Sequence, residues 1–184
     1  MTRRIAALAF LLIASASASH AGWKYSVNRY DLRVATTAGE GTSPDGPIKA
    51  KLAVQFSPAK DGTMTIQFIV EGANKMKGFG YDAFEGPDAA AAEGKLTRIV
   101  VERAGAKPVS LLTKVGGWYL GNAFVFAASE ANAHPGDVLK TVRAIQSGAS
   151  KVSVSVQDSS TAKKQLRADF ATEGASDAIG KLLK

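Results

Sequence analysis

The chain has 184 residues, 46% of them hydrophobic and 21% charged, and its 23 Lys plus Arg against 16 Asp plus Glu give a formal charge of +7. That balance fits a folded globular protein and excludes disordered, collagen-like and polytopic membrane chains. With no cysteine and only His20 and His134, thiolate nucleophiles, Cys-ligated zinc, iron–sulfur clusters, disulfides and multi-histidine metal sites are all removed, so no cofactor is expected.

Arg3 and Arg4 precede an unbroken apolar run over residues 5–13, and residues 14–21 are small or weakly polar. This is the basic start, apolar core and small-residue cleavage zone of a secretory signal. A spanning helix needs about 20 apolar residues, so the run is too short for an anchor. Cleavage is expected before Gly22, with Ala16-Ser17-Ala18 as a second possible site. The expectation is an export signal over residues 1–21 and one domain over residues 22–184, delivered to the periplasm or secreted, with no transmembrane segment in the mature chain. Loss of Arg3 and Arg4 leaves that domain at +5.

Residues 48–56 read IKAKLAVQF, with Ile48, Ala50, Leu52, Val54 and Phe56 alternating against Lys49, Lys51 and Gln55. A period of two places the apolar set on one sheet face and the charges in water. Pro58, Asp61 and Gly62 mark a turn, and residues 63–71 alternate again through Met64, Ile66, Phe68 and Val70. An antiparallel hairpin with a longer loop follows. Residues 72–94 break the pattern with Gly78, Gly80, Gly86, Pro87 and Gly94, and Phe79, Tyr81 and Phe84 stand among them. A short strand is expected around residues 79–84, and an alanine-rich turn after Pro87 and Asp88.

Further strands are expected at residues 96–102, 109–115 and 118–127, with Trp118, Leu120, Phe124 and Phe126 on one parity. Val138, Val142 and Ile145 change the period to that of a helix over residues 137–147, between Pro135 and Gly148. Strands return at 151–157 and 165–171. A closing helix over 174–183 is expected, with Ala175, Ala178, Ile179, Leu182 and Leu183 as its apolar side and Thr172 as its cap. Regularly spaced strands without βαβ units predict a mainly β fold: a two-layer antiparallel β-sandwich or a partly open barrel with two short helices.

The C-terminal third carries a resemblance. Its order is a strand over 118–126, a helix over 137–148 ending in Gly148, and a strand over 152–156. Phe170-Ala171-Thr172-Glu173-Gly174 then leads into Ala178-Ile179-Gly180-Lys181-Leu182. This order resembles the invasion-associated locus B family of small periplasmic or secreted bacterial proteins. Members of that family commonly carry cysteines, and this chain has none. The resemblance implies a β-sandwich acting at the cell envelope, without enzymatic activity and without transferable catalytic residues.

Candidate sites follow from residue type. His134 lies in an Ala133-His134-Pro135-Gly136 turn with no Gly-x-Ser-x-Gly elbow anywhere in the chain, which favours a solvated histidine over a catalytic base. Asp82, Glu85 and Asp88 cluster in the loop, but their spacing fits no calcium loop and fixes no carboxylate separation for glycoside hydrolysis. Phe79, Tyr81 and Phe84 are the binding candidates, as are Trp23 and Tyr25. Rigid aromatics bury large area at small entropic cost. The competing role for the three loop rings is a plug over the end of the core, and Trp118 is expected in the core. The dispersed basic residues form no stripe or nucleic-acid motif, so nucleic acid is not the expected partner.

The function expected is therefore non-enzymatic: a periplasmic or secreted binding protein whose partner is an envelope or extracellular protein, or an anionic surface component. The alternative is a small-molecule or lipid carrier with a cavity between the sheets.

Overall fold

The computed structural model describes residues 22–28, 31–58, 62–86, 95–158 and 164–184. The expected export signal and the turn after Pro87 lie outside the described residues. The strands are β1 (Lys24–Val27), β2 (Arg33–Ser43), β3 (Gly46–Ser57), β4 (Thr63–Val70), β5 (Lys95–Arg103), β6 (Ala106–Lys114), β7 (Gly116–Leu120), β8 (Ala123–Ser129), β9 (Ala149–Asp158) and β10 (Gln165–Phe170). Helix α1 (Asp137–Gln146) links β8 to β9, and α2 (Ala175–Leu182) closes the chain.

All ten strands join one antiparallel sheet in the order β6-β5-β9-β10-β2-β3-β4-β8-β7, with β1 paired to β2 off that path. The fold is mainly β, a curled open half-barrel with two short helices, so the partly open barrel is the form adopted. The β3–β4 hairpin has the expected register, Ala50↔Val70 through Ser57↔Thr63. Gly62 takes φ 68° in its turn, the left-handed region that glycine enters without a Cβ clash.

Both edge strands come from a single stretch of chain. β6 ends at Lys114 and β7 begins at Gly116, with only Val115 between them. β6 pairs β5 at one end of the sheet, and β7 pairs β8 at the other. Consecutive Cα atoms lie about 3.8 Å apart, so the two ends of the sheet must meet at this corner. Val115 is fully buried there, and its N–H donates to the Lys95 carbonyl at 3.0 Å.

The helices sit against the inner face. α1 packs on β4, β5, β6, β9 and α2, while α2 packs on β1, β2 and β3. Their apolar stripes join the inward-facing residues of the strands in one core that includes Leu52, Ile66, Phe126, Val154 and Leu166. Both helices start after a glycine with positive φ, Gly136 and Gly174, and neither has a side-chain bond from its cap residue. Thr172 therefore does not cap α2 through its hydroxyl. Its carbonyl instead accepts the Ala175 N–H. For α1 the Glu130 carboxylate takes over, accepting from Gly136 N at 2.9 Å and Leu139 N at 3.1 Å. An anion there satisfies free N–H groups and complements the helix dipole.

Two expected elements differ, and two strands, β1 and β2, were not expected. Residues 118–127 are two strands, because Gly121 adopts φ 61° and turns the chain between Leu120 and Ala123. Residues 81–84 form a 3-10 turn instead of a strand. β2, eleven residues long, was not among the expected strands.

β2 is paired along one side by β3 and on the other by β1 at residues 33–36 and β10 at residues 39–42. Its glycines make the second arrangement fit. A Cβ on Gly41 would collide with the Arg167 carbonyl and with Ala168, which are backbone atoms that cannot step aside. A Gly41→Ala variant is therefore expected to lose about 1–3 kcal/mol of stability in urea unfolding. Gly80→Ala, where nothing lies within 4 Å and φ is −83°, should stay within about 0.5 kcal/mol.

Candidate functional site

The glycine-rich segment 72–86 closes one end of the half-barrel. Phe79, Tyr81 and Phe84 are buried and stack among core rings: Phe79 on Phe84 at 5.4 Å, Phe84 edge-on to Phe126 at 5.2 Å, Tyr81 tilted on Phe124 at 5.4 Å. Offset and edge-on contacts of this kind add stabilisation beyond area burial. The Lys95 ammonium lies 4.8 Å from the Phe84 ring centroid, a cation–π geometry.

The loop is tied down as well as packed. The Asp45 carboxylate accepts from Gly78 N at 2.8 Å and from Lys77 N at 3.3 Å. Gly86 N donates to the Gly117 carbonyl, and Asn74 N to the Asn122 carbonyl. Tyr119 Oη donates to Asp82 Oδ1 at 2.7 Å. These bonds and the ring burial assign Phe79, Tyr81 and Phe84 to the plug, and a ligand meets no open ring face in this arrangement.

Trp23 is also interior, only 7% exposed. Its indole N–H donates to the Ala171 carbonyl and its backbone N–H to the Glu173 carbonyl, which fastens the start of the described chain to the approach of α2. Tyr25, half-buried on β1 opposite Ala35, packs against the same core. The five expected binding aromatics therefore do not converge on one surface. His134 is exposed, and its carbonyl accepts the Asp137 N–H just before α1.

The outward apolar side chains lie elsewhere. Trp118, expected in the core, is 43% exposed, and Leu120 beside it is 61% exposed. The hairpin at Gly121 explains the change. It sets Tyr119 opposite Phe124 on the inner side and turns Trp118, opposite Val125, to the outside. Leu112 on β6 is 50% exposed and shares this parity. Across the corner the alternation never breaks: Leu111, Thr113, Val115 and Gly117 are buried, while Leu112, Lys114, Trp118 and Leu120 face out. Among the described residues, three of the four large exposed hydrophobics thus share the outward parity of one continuous stretch of chain, Leu112 on β6 and Trp118 and Leu120 on β7.

Beside Trp118 lies an open hollow of about 360 Å³ lined by Gly86, Gly116, Gly117, Trp118, Ala127, Ser129 and Asn132. The lining is mainly apolar, and the glycines leave it open. A Cβ at Gly117 would strike the Val125 carbonyl and the Phe124 ring. No large side chain can stand at that position.

Shifted titrations do not assemble into reaction chemistry. Burial holds the Tyr119 phenol up at about 12, helped by its hydrogen bond to Asp82 and by the Asp82 and Glu85 charges. Tyr81 is raised further, by burial first and then by the Asp45 charge. Burial alone would raise the Asp169 carboxyl. The Ser153 hydroxyl, Lys151 and Arg167 outweigh it and hold Asp169 below the usual carboxylate range. Ser153 and Lys151 contact it at 2.6 and 3.0 Å, a cross-strand network on the outer face. Among the described residues no three His, Cys, Asp or Glu side chains group to hold a metal ion, and no helix is long and apolar enough to cross a membrane.

Tyr119 offers a direct titration. Its folded-state value lies above the usual phenol value, so the stability it contributes is present below about pH 10 and is lost as pH rises through about 12. Absorbance titration at alkaline pH should show Tyr119 ionising late, and Asp82→Asn should move that ionisation down. A Tyr119 that titrates near its ordinary value in the unaltered protein contradicts the Asp82 contact.

No family model matches the chain, and neither the curated proteins nor the solved structures contain a match.

Proposed function

We propose that the protein is exported and works as a non-enzymatic binding protein in the periplasm or outside the cell, meeting a protein partner along the outer side of residues 112–120. The observation that carries this reading is the exposure of Trp118 and Leu120 together on the outer side of β7, with Leu112 of β6 on the same parity across the Val115 corner. Exposed aromatic and aliphatic anchors beside a shallow apolar hollow are the elements from which binding hot spots are built.

Other features support the same reading. The basic, apolar and small-residue sections of residues 1–21 suit export. The resemblance to the invasion-associated locus B family implies the envelope. Lys114 on the same face, with the +5 balance of the mature chain, favours a partner of acidic character. A carrier draws less support, because α1, α2 and the rings of the 72–86 segment occupy the inner side of the half-barrel.

A photo-crosslinking residue at position 120, with position 181 on α2 as control, tests the surface in envelope extract. One heterologous protein should crosslink from position 120 and not from 181. With that protein purified, Trp118→Ser should weaken binding about 30-fold, the effect of losing an anchor worth about 2 kcal/mol. Crosslinks only to a second copy of the chain, or equal yields from both positions, would contradict the proposal.

A further inference from the structure

A second concave surface lies away from the Trp118 strand, between α1 and the β5–β6 hairpin. Its volume is about 450 Å³, and Arg103, Val109, Leu139, Lys140, Arg143 and Ala144 form most of its wall. The range fits a small organic ligand, since binding hollows run from about 300 to 1,000 Å³.

The charges here are of one sign. Lys140 and Arg143 stand three residues apart on α1, so they are neighbours on the helix surface. Arg103 approaches from β5, where its Nη2 donates to the Lys107 carbonyl at 3.1 Å. None of these three makes an ion pair with a carboxylate among the described residues, although Lys51, Lys151 and Lys181 each do. The Arg103 Nε–H is buried and has no hydrogen-bond partner. A buried donor without an acceptor costs about 1–3 kcal/mol.

The carboxylates nearest this wall are engaged or turned elsewhere. Both Glu130 oxygens accept from the N–H groups at the start of α1. Asp137, in the first turn of α1, lies three residues before Lys140 and makes no ion pair with it. Glu102 is on the opposite parity of β5 from buried Val101 and lies across from Lys151 in the register. The floor of the hollow is apolar: Val109 and Leu139 are half-buried and pack against the core, and Ala144 belongs to it.

We infer that this hollow binds a phosphate monoester carried on an apolar body, with Arg103, Lys140 and Arg143 holding the phosphate and Val109 and Leu139 receiving the body. A phosphate monoester brings about −1.5 to −2 charge at neutral pH, enough to engage several of these cations at once. Arginine adds planar, paired donors that match phosphate oxygens. The apolar floor separates this ligand from bare phosphate. The same chemistry is offered by a soluble aryl or alkyl phosphate and by a phosphatidate headgroup at a membrane surface.

The test is calorimetric titration of the purified protein at low ionic strength with phenyl phosphate and with inorganic phosphate. Phenyl phosphate should saturate one site and bind about tenfold tighter than inorganic phosphate, because its ring is buried on the floor. Lys140→Gln combined with Arg143→Gln alters exposed side chains and should weaken phenyl phosphate about tenfold or more, while Lys181→Gln on α2 should change nothing. Leu139→Ser should erase the advantage of phenyl phosphate over inorganic phosphate.

Sedimentation with phosphatidate vesicles, against phosphatidylcholine vesicles, then separates the sources. Phosphatidate binding that the double variant abolishes supports a membrane headgroup. Phenyl phosphate binding without vesicle binding supports a soluble ligand. No saturable phenyl phosphate binding, or binding that survives in the double variant, overturns the inference.

Discussion

The architecture depends on one steric constraint: a single residue, Val115, separates the strand at one end of the sheet from the strand at the other. A sheet whose two ends share one chain segment cannot lie flat, so it curls until those ends touch. The curl creates an inner face concave enough to take α1, α2 and the ring-bearing segment 72–86. It also keeps the alternation of residues 111–120 in phase across the corner, so β6 and β7 both contribute buried side chains inward and exposed apolar side chains outward. Right-handed strand twist favours such coiling, and the glycine at position 117 relieves crowding where β7 begins.

The fold was legible in sequence wherever one face of a strand is apolar and the other charged. Residues 48–56 and 63–70 announce their register because Lys49 and Lys51 alternate with branched and aromatic residues. β2 was silent for a physical reason. Its inner positions are Ala35, Thr37 and Gly39, the last where a Cβ would strike Phe170 of β10, and α2 packs on this strand, so no hydrophobic period rises above the background. A strand chosen for closeness of approach carries little side-chain signal.

The surface was harder to read than the core. Trp118 looked interior because one continuous strand through residue 127 would align it with Phe124 and Phe126. The Gly121-Asn122 turn reverses the chain and transfers Trp118 to the other face. Phe79, Tyr81 and Phe84 looked available because their segment lacks a regular period, yet a loop can bury rings when its backbone groups find partners, as those of residues 77, 78 and 86 do. The basic hollow left no signal at all. Arg103 is 37 residues from Lys140 in sequence, and only the packing of α1 on β5 and β6 brings them to one wall. With the interior occupied, the two outer surfaces are the ones we propose as contact sites, one through apolar anchors and one through cations without a carboxylate partner.

The joined-edge account is tested most directly by native-state hydrogen exchange at the Val115 amide, followed over a series of low denaturant concentrations. If the corner holds the sheet closed, this amide exchanges only through global unfolding, with the same free energy and denaturant dependence as the amides of Leu52 and Val154. Exchange through a local opening with little denaturant dependence, while those core amides stay protected, would contradict the account.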